Sequence, residues 1–129
     1  MPPKRILVIE DDLAIADFAE MVLLKDGFEV QQANDGKAGV EKALAFRPHL
    51  LVLDLMLPEL HGFEVARILR QEKDLNGLEI LVTSAKISPD DFGDAETAGA
   101  TEFLPKPYGA SDLSKRVRRM IGSAREEGT

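Results

Sequence analysis

The stretch from Leu50 to Pro58, LLVLDLMLP, constrains the fold of this chain more than any other part of the sequence. Its apolar residues are interrupted by a single carboxylate, Asp54, and prolines bound the run on both sides. Such a run is typical of a strand that is buried on both faces, as in a parallel sheet. A charge inside the run is costly unless it has partners or lies at the end of the strand. Asp54 falls near the carboxyl end, where open α/β sheets bind their ligands.

Four other apolar runs alternate with amphipathic segments along the chain. These runs are predicted to be strands, at Arg5–Ile9, Phe28–Ala33, Leu78–Val82 and Thr101–Leu104. The intervening segments have apolar residues at helical spacing, and the helix after the fourth run is expected to begin at Ser88 and to end near Gly99. Strict alternation predicts a doubly wound, flavodoxin-like α/β fold, with five parallel strands in the order 2-1-3-4-5 and five helices.

The composition argues against several classes of protein. With 129 residues the chain can form one domain with its own core, and the absence of cysteine excludes disulfides, thiolate metal sites and cysteine nucleophiles. A net charge of −7 disfavours non-specific binding to nucleic acid, and the basic cluster at 115–119 is better explained as the exposed last turns of a helix. No apolar run approaches the ~20 residues of a membrane span. We therefore expect a cytoplasmic protein without a membrane partner.

Residues with reactive or metal-binding side chains lie at the ends of the apolar runs, at one edge of the predicted sheet. Glu10 and Asp11 follow the first strand, and Asp54 ends the third. Ser84 follows the fourth strand and Lys106 the fifth. Because the strand order places the first and third strands side by side, the three carboxylates should converge, and a hard divalent cation such as Mg²⁺ would relieve their repulsion. Carboxylates, a cation, a lysine and a hydroxyl together favour phosphoryl transfer.

Four separated motifs of the chain resemble the receiver domain of bacterial two-component response regulators, including the chemotaxis regulators. The motifs are ILVIEDD ending at Asp12, LDLMLP beginning at Leu53 together with Gly62, the pair Ser84-Ala85, and FLPKP beginning at Phe103. Four motifs in the order and spacing of the family form a specific signal, and the resemblance covers almost the whole chain. We expect a receiver domain over residues 1–122 and a flexible C-terminal tail over residues 123–129.

The resemblance implies roles for four residues in phosphoryl transfer. Asp54 would be the phospho-acceptor that attacks a phosphohistidine, and Lys106 would pair with the phosphoryl group. Ser84 would be the switch hydroxyl that moves to bond a phosphate oxygen, and Phe103 would be the aromatic switch that changes rotamer with it. The bond between Lys106 and Pro107 would be cis.

The resemblance also implies a magnesium site. Asp11 would bind Mg²⁺ directly, and Glu10 would bind it directly or through water. Asp54 and the backbone carbonyl of Met56 would complete the protein ligands.

The function implied by the resemblance is a phosphoryl-accepting signalling switch in a phosphorelay. The chain would catalyse its own phosphorylation and dephosphorylation but would have no other enzymatic activity. Its partners would be a sensor histidine kinase or phosphotransfer protein, and a downstream protein bound through the predicted fourth helix, fifth strand and fifth helix. A phosphorylation-dependent homodimer is a further option. We expect no output domain after Thr129 and therefore no DNA binding by this chain.

Two alternatives stay open at this point. The first is a degenerate receiver that acts as a scaffold independent of phosphorylation, which the intact acidic, hydroxyl and lysine positions disfavour. The second is an unrelated flavodoxin-like enzyme or nucleotide binder. That alternative is disfavoured because no glycine-rich phosphate loop follows the first strand.

Overall fold

A computed structural model describes residues 2–85, 99 and 101–125 of the chain. Its strands are β1 (Arg5–Ile9), β2 (Glu29–Ala33), β3 (Leu50–Asp54), β4 (Glu79–Ser84) and β5 (Glu102–Pro105). Its helices are α1 (Leu13–Lys25), α2 (Gly36–Phe46), α3 (Gly62–Arg70) and α4 (Ala110–Ile121), with a short 3₁₀ helix at Lys73–Leu75. The helix predicted to begin at Ser88 lies outside the described residues. Among the helices described, none has the length and apolar character needed to cross a membrane.

The five strands form one parallel sheet in the order β2-β1-β3-β4-β5. This finding confirms the doubly wound architecture and the strand order predicted from the sequence. The register pairs Ile9 with Leu53 and Asp54 with Thr83. The carboxyl ends of β1 and β3 therefore lie next to each other, where the topology reverses direction.

The central strand β3 is buried along its whole length, whereas β2 alternates between exposed and more buried positions. The difference follows from position, because β3 has a strand on each side and helices over both faces, while β2 is an edge strand. Helices α2 and α3 cover one face of the sheet, and α1 and α4 cover the other. The fully buried side chains on the two faces include Leu7, Leu51, Leu69 and Ile80 on the first and Ile6, Leu23, Leu50 and Leu113 on the second.

Side-chain caps start the first two helices. Asp12 accepts hydrogen bonds from the N–H groups of Ala14 and Ile15, at 3.0 and 3.2 Å, and so satisfies donors that the first turn of α1 leaves unpaired. Asp35 caps α2 in the same way. The apolar spacing of the sequence predicts a helix from Phe63 to about Lys73, but α3 ends at Arg70. The Arg70 guanidinium donates hydrogen bonds to the segments that lead into β4 and β5. The chain after Arg70 turns into the 3₁₀ helix.

Ala124, three residues after α4, packs back against the domain. Ala124 is only 6% exposed, and its carbonyl accepts a 2.7 Å hydrogen bond from the N–H of Lys4. The Lys4 ammonium donates to the Ile121 carbonyl at the end of α4. The boundary at residue 122 stays a prediction, and residues 126–129 lie outside the described residues.

Candidate functional site

Three carboxylates meet at the carboxyl edge of β1 and β3. Glu10 and Asp11 directly follow β1, and Asp54 is the last residue of β3. One carboxylate oxygen from each residue lies within 4.8 Å of the others. Glu10 and Asp54 are 2% and 4% exposed, whereas Asp11 is exposed. The structure thus brings together the three acids that the strand order predicted to converge.

The ammonium group of Lys106 joins two of these carboxylates. Its Nζ forms an ion pair with Glu10 and lies 3.4 Å from Asp54 Oδ1. The lysine directly follows β5, so its side chain, 12% exposed, reaches past the end of β4. Its backbone N–H donates to the Ser84 carbonyl at 2.8 Å, and the peptide bond to Pro107 is cis, as the resemblance implied.

Hydrogen bonds fix both the backbone and the carboxylate of Glu10. Its backbone N–H donates to Ala33 and its carbonyl accepts from the Asn34 amide, at 3.0 and 3.1 Å. The Asp12 N–H donates to the Glu10 carboxylate at 3.2 Å. Burial nevertheless raises the pKa of Glu10 to about 7, against the opposing effects of Lys106 and of the Asp12 N–H. The carboxyl that burial disfavours as an anion is therefore one of the two that contact the lysine.

The loop after β3 folds closely against Asp54. The Met56 N–H donates to Asp54 Oδ1 at 3.3 Å, and the Gly62 N–H donates to the Leu55 carbonyl at 3.0 Å. A Cβ atom at position 62 would lie 2.6 Å from the Asp54 carbonyl oxygen, so only glycine allows this approach. The Met56 side chain is 69% exposed, and the residue is placed beside the site by its backbone.

Ser84 lies on β4, and Phe103 lies on β5, the strand that leads to Lys106. Ser84 is the buried last residue of β4, whereas the sequence placed it after that strand, and it pairs in register with Pro105. Phe103 is partly buried on β5, pairs with Val82, and its carbonyl accepts a hydrogen bond from Arg116. The structure places both residues at the β4–β5 side of the site. Their roles as switch residues stay predictions.

Two neighbours of the site had not been identified from the sequence. Tyr108 lies close to Glu10 and Asp54. Burial of its hydroxyl, and then the negative charges of these two residues, raise the pKa of that hydroxyl to about 12. Its ring packs against Phe18 of α1, with ring centroids 6.3 Å apart. Asn34, described above, follows β2 and fixes the Glu10 backbone. Proximity to the carboxyl edge is the only sequence signal that could have identified them.

The donor set fits a hard divalent cation. The carboxylate oxygens supply the negative charge, and Asp11 leaves one carboxylate open to solvent. Met56 has a backbone carbonyl in the loop that follows Asp54. Mg²⁺ is bound in proteins by a small number of carboxylates and by waters. Residues 10, 11 and 54 therefore form a group that could bind a metal ion.

Sequence comparison places the chain among signalling proteins. A family model described as the response regulator receiver domain matches residues 6–118. The response regulator MprA of Mycobacterium leprae is 39% identical over 117 residues, covering 91% of this chain and 50% of that protein. The DNA-binding dual master transcriptional regulator RpaA of Synechocystis is 37% identical over 117 residues, covering 91% of this chain and 48% of that protein. The chain thus spans about half the length of the curated relatives it matches.

Structure comparison finds the same fold in receiver domains. The chemotaxis protein CheY4 of Vibrio cholerae superposes with a TM-score of 0.89 at 27% identity, covering 92% of this chain and 99% of that one. The receiver domain of the sensor histidine kinase PA1611 from Pseudomonas aeruginosa gives a TM-score of 0.85 at 27% identity, covering 94% and 99%. That crystal structure has a magnesium ion coordinated in its active site cleft. These similarities confirm the flavodoxin-like architecture predicted from the sequence.

Proposed function

The chain belongs to the response regulator receiver domain family of two-component signalling, and from this premise we propose that it is a phosphoryl-accepting switch whose acceptor is Asp54. A carboxylate oxygen of Asp54 attacks the phosphorus of a phosphohistidine. The phosphorus–nitrogen bond breaks, the imidazole leaves with the electron pair, and an aspartyl phosphate forms. Water later hydrolyses this acyl phosphate, which releases inorganic phosphate and restores the carboxylate. The domain catalyses both steps on itself and has no other substrate.

The observation that carries this proposal is the position of Lys106 between Glu10 and Asp54. An ammonium group already fixed at the acceptor can pair with the oxygens of an incoming phosphoryl group without reorganising. Burial of the acceptor keeps water away from that ion pair and strengthens it. A buried carboxylate needed only for structure would be satisfied by one partner charge, whereas here a single ammonium is shared by two carboxylates with a third beside them.

Glu10, Asp11 and Asp54 would hold Mg²⁺ together with the backbone carbonyl of Met56. The convergence of the three carboxylates within 4.8 Å supports this assignment. When bound, the cation supplies positive charge that offsets the charge on the phosphoryl oxygens. Asp11, exposed at the mouth of the site, also leaves room for water ligands.

Ser84 and Phe103 would report phosphorylation to the surface. Ser84 would donate its hydroxyl hydrogen to a phosphate oxygen, and Phe103 would change rotamer as β4 and β5 adjust. The pairing of these strands, with Ser84 beside Pro105, supports the coupling. Phosphorylation would then shift an equilibrium between two states.

The partners would be a histidine kinase or phosphotransfer protein on the donor side, and a downstream protein or second copy of the chain on the output side. The output surface would include β5 and α4. The predicted helix beginning at Ser88, which would complete this surface, lies outside the described residues. The receiver unit would extend over residues 1–122.

Acetyl phosphate and beryllofluoride with Mg²⁺ test the proposal. We expect a mass gain of one phosphoryl group with acetyl phosphate, and amide shifts around the site with beryllofluoride, in the wild type. Both should be lost in Asp54→Asn. The matched control is Asp12→Asn, since asparagine caps a helix as well as aspartate does. A gain that survives Asp54→Asn would contradict the acceptor assignment, and no response in any variant would favour a scaffold.

A further inference from the structure

The strand that carries Lys106 into the site is short and lies at an edge of the described sheet. β5 has four residues and pairs with β4 at one edge of the described sheet. Shifting such a strand by one residue would move each backbone position by about 3.3 Å and turn every side chain to the other face. The contacts that fix the start of β5 therefore also fix where Lys106 enters the site.

Arg70, the last residue of α3, binds the amino ends of both strands. Its Nε donates to the Gly99 carbonyl at 2.8 Å, Nη2 donates to Thr101 Oγ1 at 3.2 Å, and Nη1 donates to the Leu78 carbonyl. The guanidinium group is planar with donors in fixed directions, so one side chain joins three points rigidly. Gly99 has a φ of +91°, and a Cβ there would lie 2.7 Å from Arg70 Cγ. Both the backbone conformation and the close approach require glycine.

Thr101 transmits this anchoring to the sheet. Its N–H donates to the Ile80 carbonyl at 2.8 Å, and its Oγ1 accepts from the Ile80 N–H at 3.1 Å. The hydroxyl oxygen thus accepts one hydrogen bond from β4 and another from Arg70. At the opposite end of β5, the Lys106 N–H donates to the Ser84 carbonyl. The strand is consequently fixed to β4 at both ends.

We propose that Arg70 is a positioning residue for Lys106, acting through Thr101 and the register of β5. This inference rests on the proposed function, because the position of Lys106 matters only if its ammonium serves the phosphoryl-transfer site. Arg70 lies at the amino ends of the strands and touches none of the carboxylates. Its effect on the site is transmitted along β5.

The inference has an electrostatic signature that loss of stability alone would not produce. Lys106 contacts Glu10 and Asp54, so its ammonium opposes the binding of any cation to these carboxylates. If Arg70 holds the lysine in place, its removal should strengthen Mg²⁺ binding and slow phosphoryl acceptance together. A general loosening of the fold would weaken Mg²⁺ binding or leave it unchanged.

The test compares Arg70→Met, which keeps an unbranched apolar stem but removes the guanidinium donors, with Arg67→Met on the same helix. Arg67 is exposed and forms an ion pair with Glu64, so Arg67→Met should leave Mg²⁺ affinity and phosphoryl acceptance unchanged. For Arg70→Met we expect Mg²⁺ affinity to rise about threefold, and acceptance from acetyl phosphate to slow by on the order of tenfold. In metal-free protein, the Lys106 amide hydrogen should exchange faster. Thr101→Val, a milder change, should shift each quantity in the same direction.

A double-mutant comparison separates positioning from stability. In the Lys106→Met background, Arg70→Met should have no further effect on Mg²⁺ affinity, because the competing charge is already absent. Lower thermal stability with unchanged Mg²⁺ affinity, amide exchange and phosphorylation would overturn the inference. If the wild type accepts no phosphoryl group but Arg70→Met still changes Mg²⁺ affinity and the exchange of the Lys106 amide, the proposed function fails and the positioning role stands.

Discussion

Lys106 Nζ lies 3.4 Å from Asp54 Oδ1, although the strand that Lys106 follows and the strand that Asp54 ends are not neighbours. The lysine follows β5, the aspartate ends β3, and β4 lies between them. The same ammonium also pairs with Glu10 after β1. One positive charge is therefore shared by two buried carboxylates. Under the proposed function, this charge balance would govern how the site binds a cation and a phosphoryl group.

Replacing Lys106 by methionine should strengthen Mg²⁺ binding and impair phosphoryl acceptance. The ammonium occupies carboxylate oxygens that a cation would use and repels its charge, so we expect about tenfold tighter binding, equivalent to about 1.4 kcal/mol. Acceptance from acetyl phosphate should fall at least about tenfold, because the phosphoryl oxygens lose a fixed cation.

Isothermal titration with Mg²⁺ and the rate of phosphorylation measure the two effects of Lys106→Met. Lys115→Met, which removes an exposed lysine from α4, is the control. Weaker Mg²⁺ binding in Lys106→Met would show that the lysine organises the carboxylates more than it competes for them.

Gly62→Ala should destabilise the protein and displace the acceptor loop. The new Cβ would lie 2.6 Å from the Asp54 carbonyl oxygen and 2.8 Å from Leu55 Cα, both of them backbone atoms. Forcing them apart should lower the free energy of unfolding by about 1–3 kcal/mol, measured in urea. In Gly109→Ala the nearest atom is 3.8 Å away, and the loss should stay under about 1 kcal/mol. Equal losses in the two variants would contradict a steric role for Gly62.

The sequence predicted the acidic part of the site because that part depends only on strand order. Glu10, Asp11 and Asp54 each end a strand or follow one, and parallel strands place their carboxyl ends at one edge. A central strand is recognisable from its unbroken apolar character, and this made Asp54 conspicuous. The position of Lys106 followed from the same rule together with the resemblance to receiver domains.

The contacts of Arg70 could not be predicted in this way. A basic residue in the last turn of a helix is commonly an exposed charge that favours the helix dipole. Its contacts with Gly99 and Thr101 depend on how α3 lies across the amino ends of β4 and β5, which no local pattern specifies. For the same reason the end of α3 was placed about three residues too late. Tertiary hydrogen bonds, not helical periodicity, fix where that helix stops.

The residues after α4 should contribute to stability as far as Ala124. A chain ending after Gly122 loses the hydrogen bond from Lys4 to the Ala124 carbonyl and the burial of the alanine side chain. We expect its free energy of unfolding to be about 1–2 kcal/mol lower than that of a chain ending after Arg125. Urea unfolding of the two lengths measures the difference. Equal stability would support the boundary predicted at residue 122.

His49 should make stability depend on pH through a group far from the carboxylates. Burial, and then the positive charges of Arg5 and Lys4, lower the pKa of His49 below its usual value of 6.5. Its Nδ1 also accepts a 2.9 Å hydrogen bond from the Arg5 N–H, which protonation of that nitrogen would break. The folded protein therefore holds this proton less tightly than the unfolded chain does.

Because the unfolded state binds more protons, the stability contributed by His49 is fully present above about pH 6.5 and is lost as the pH falls through the lowered pKa of the folded state. Urea unfolding of the wild type and of His49→Gln, between about pH 5 and pH 8, isolates this contribution, since glutamine can accept the Arg5 hydrogen bond but does not titrate. The difference in free energy of unfolding should be constant above about pH 7.5. At lower pH the wild type should lose stability relative to His49→Gln. A wild type that gains relative stability on acidification would mean that the folded state raises the pKa of His49, contrary to the positive surroundings of its ring.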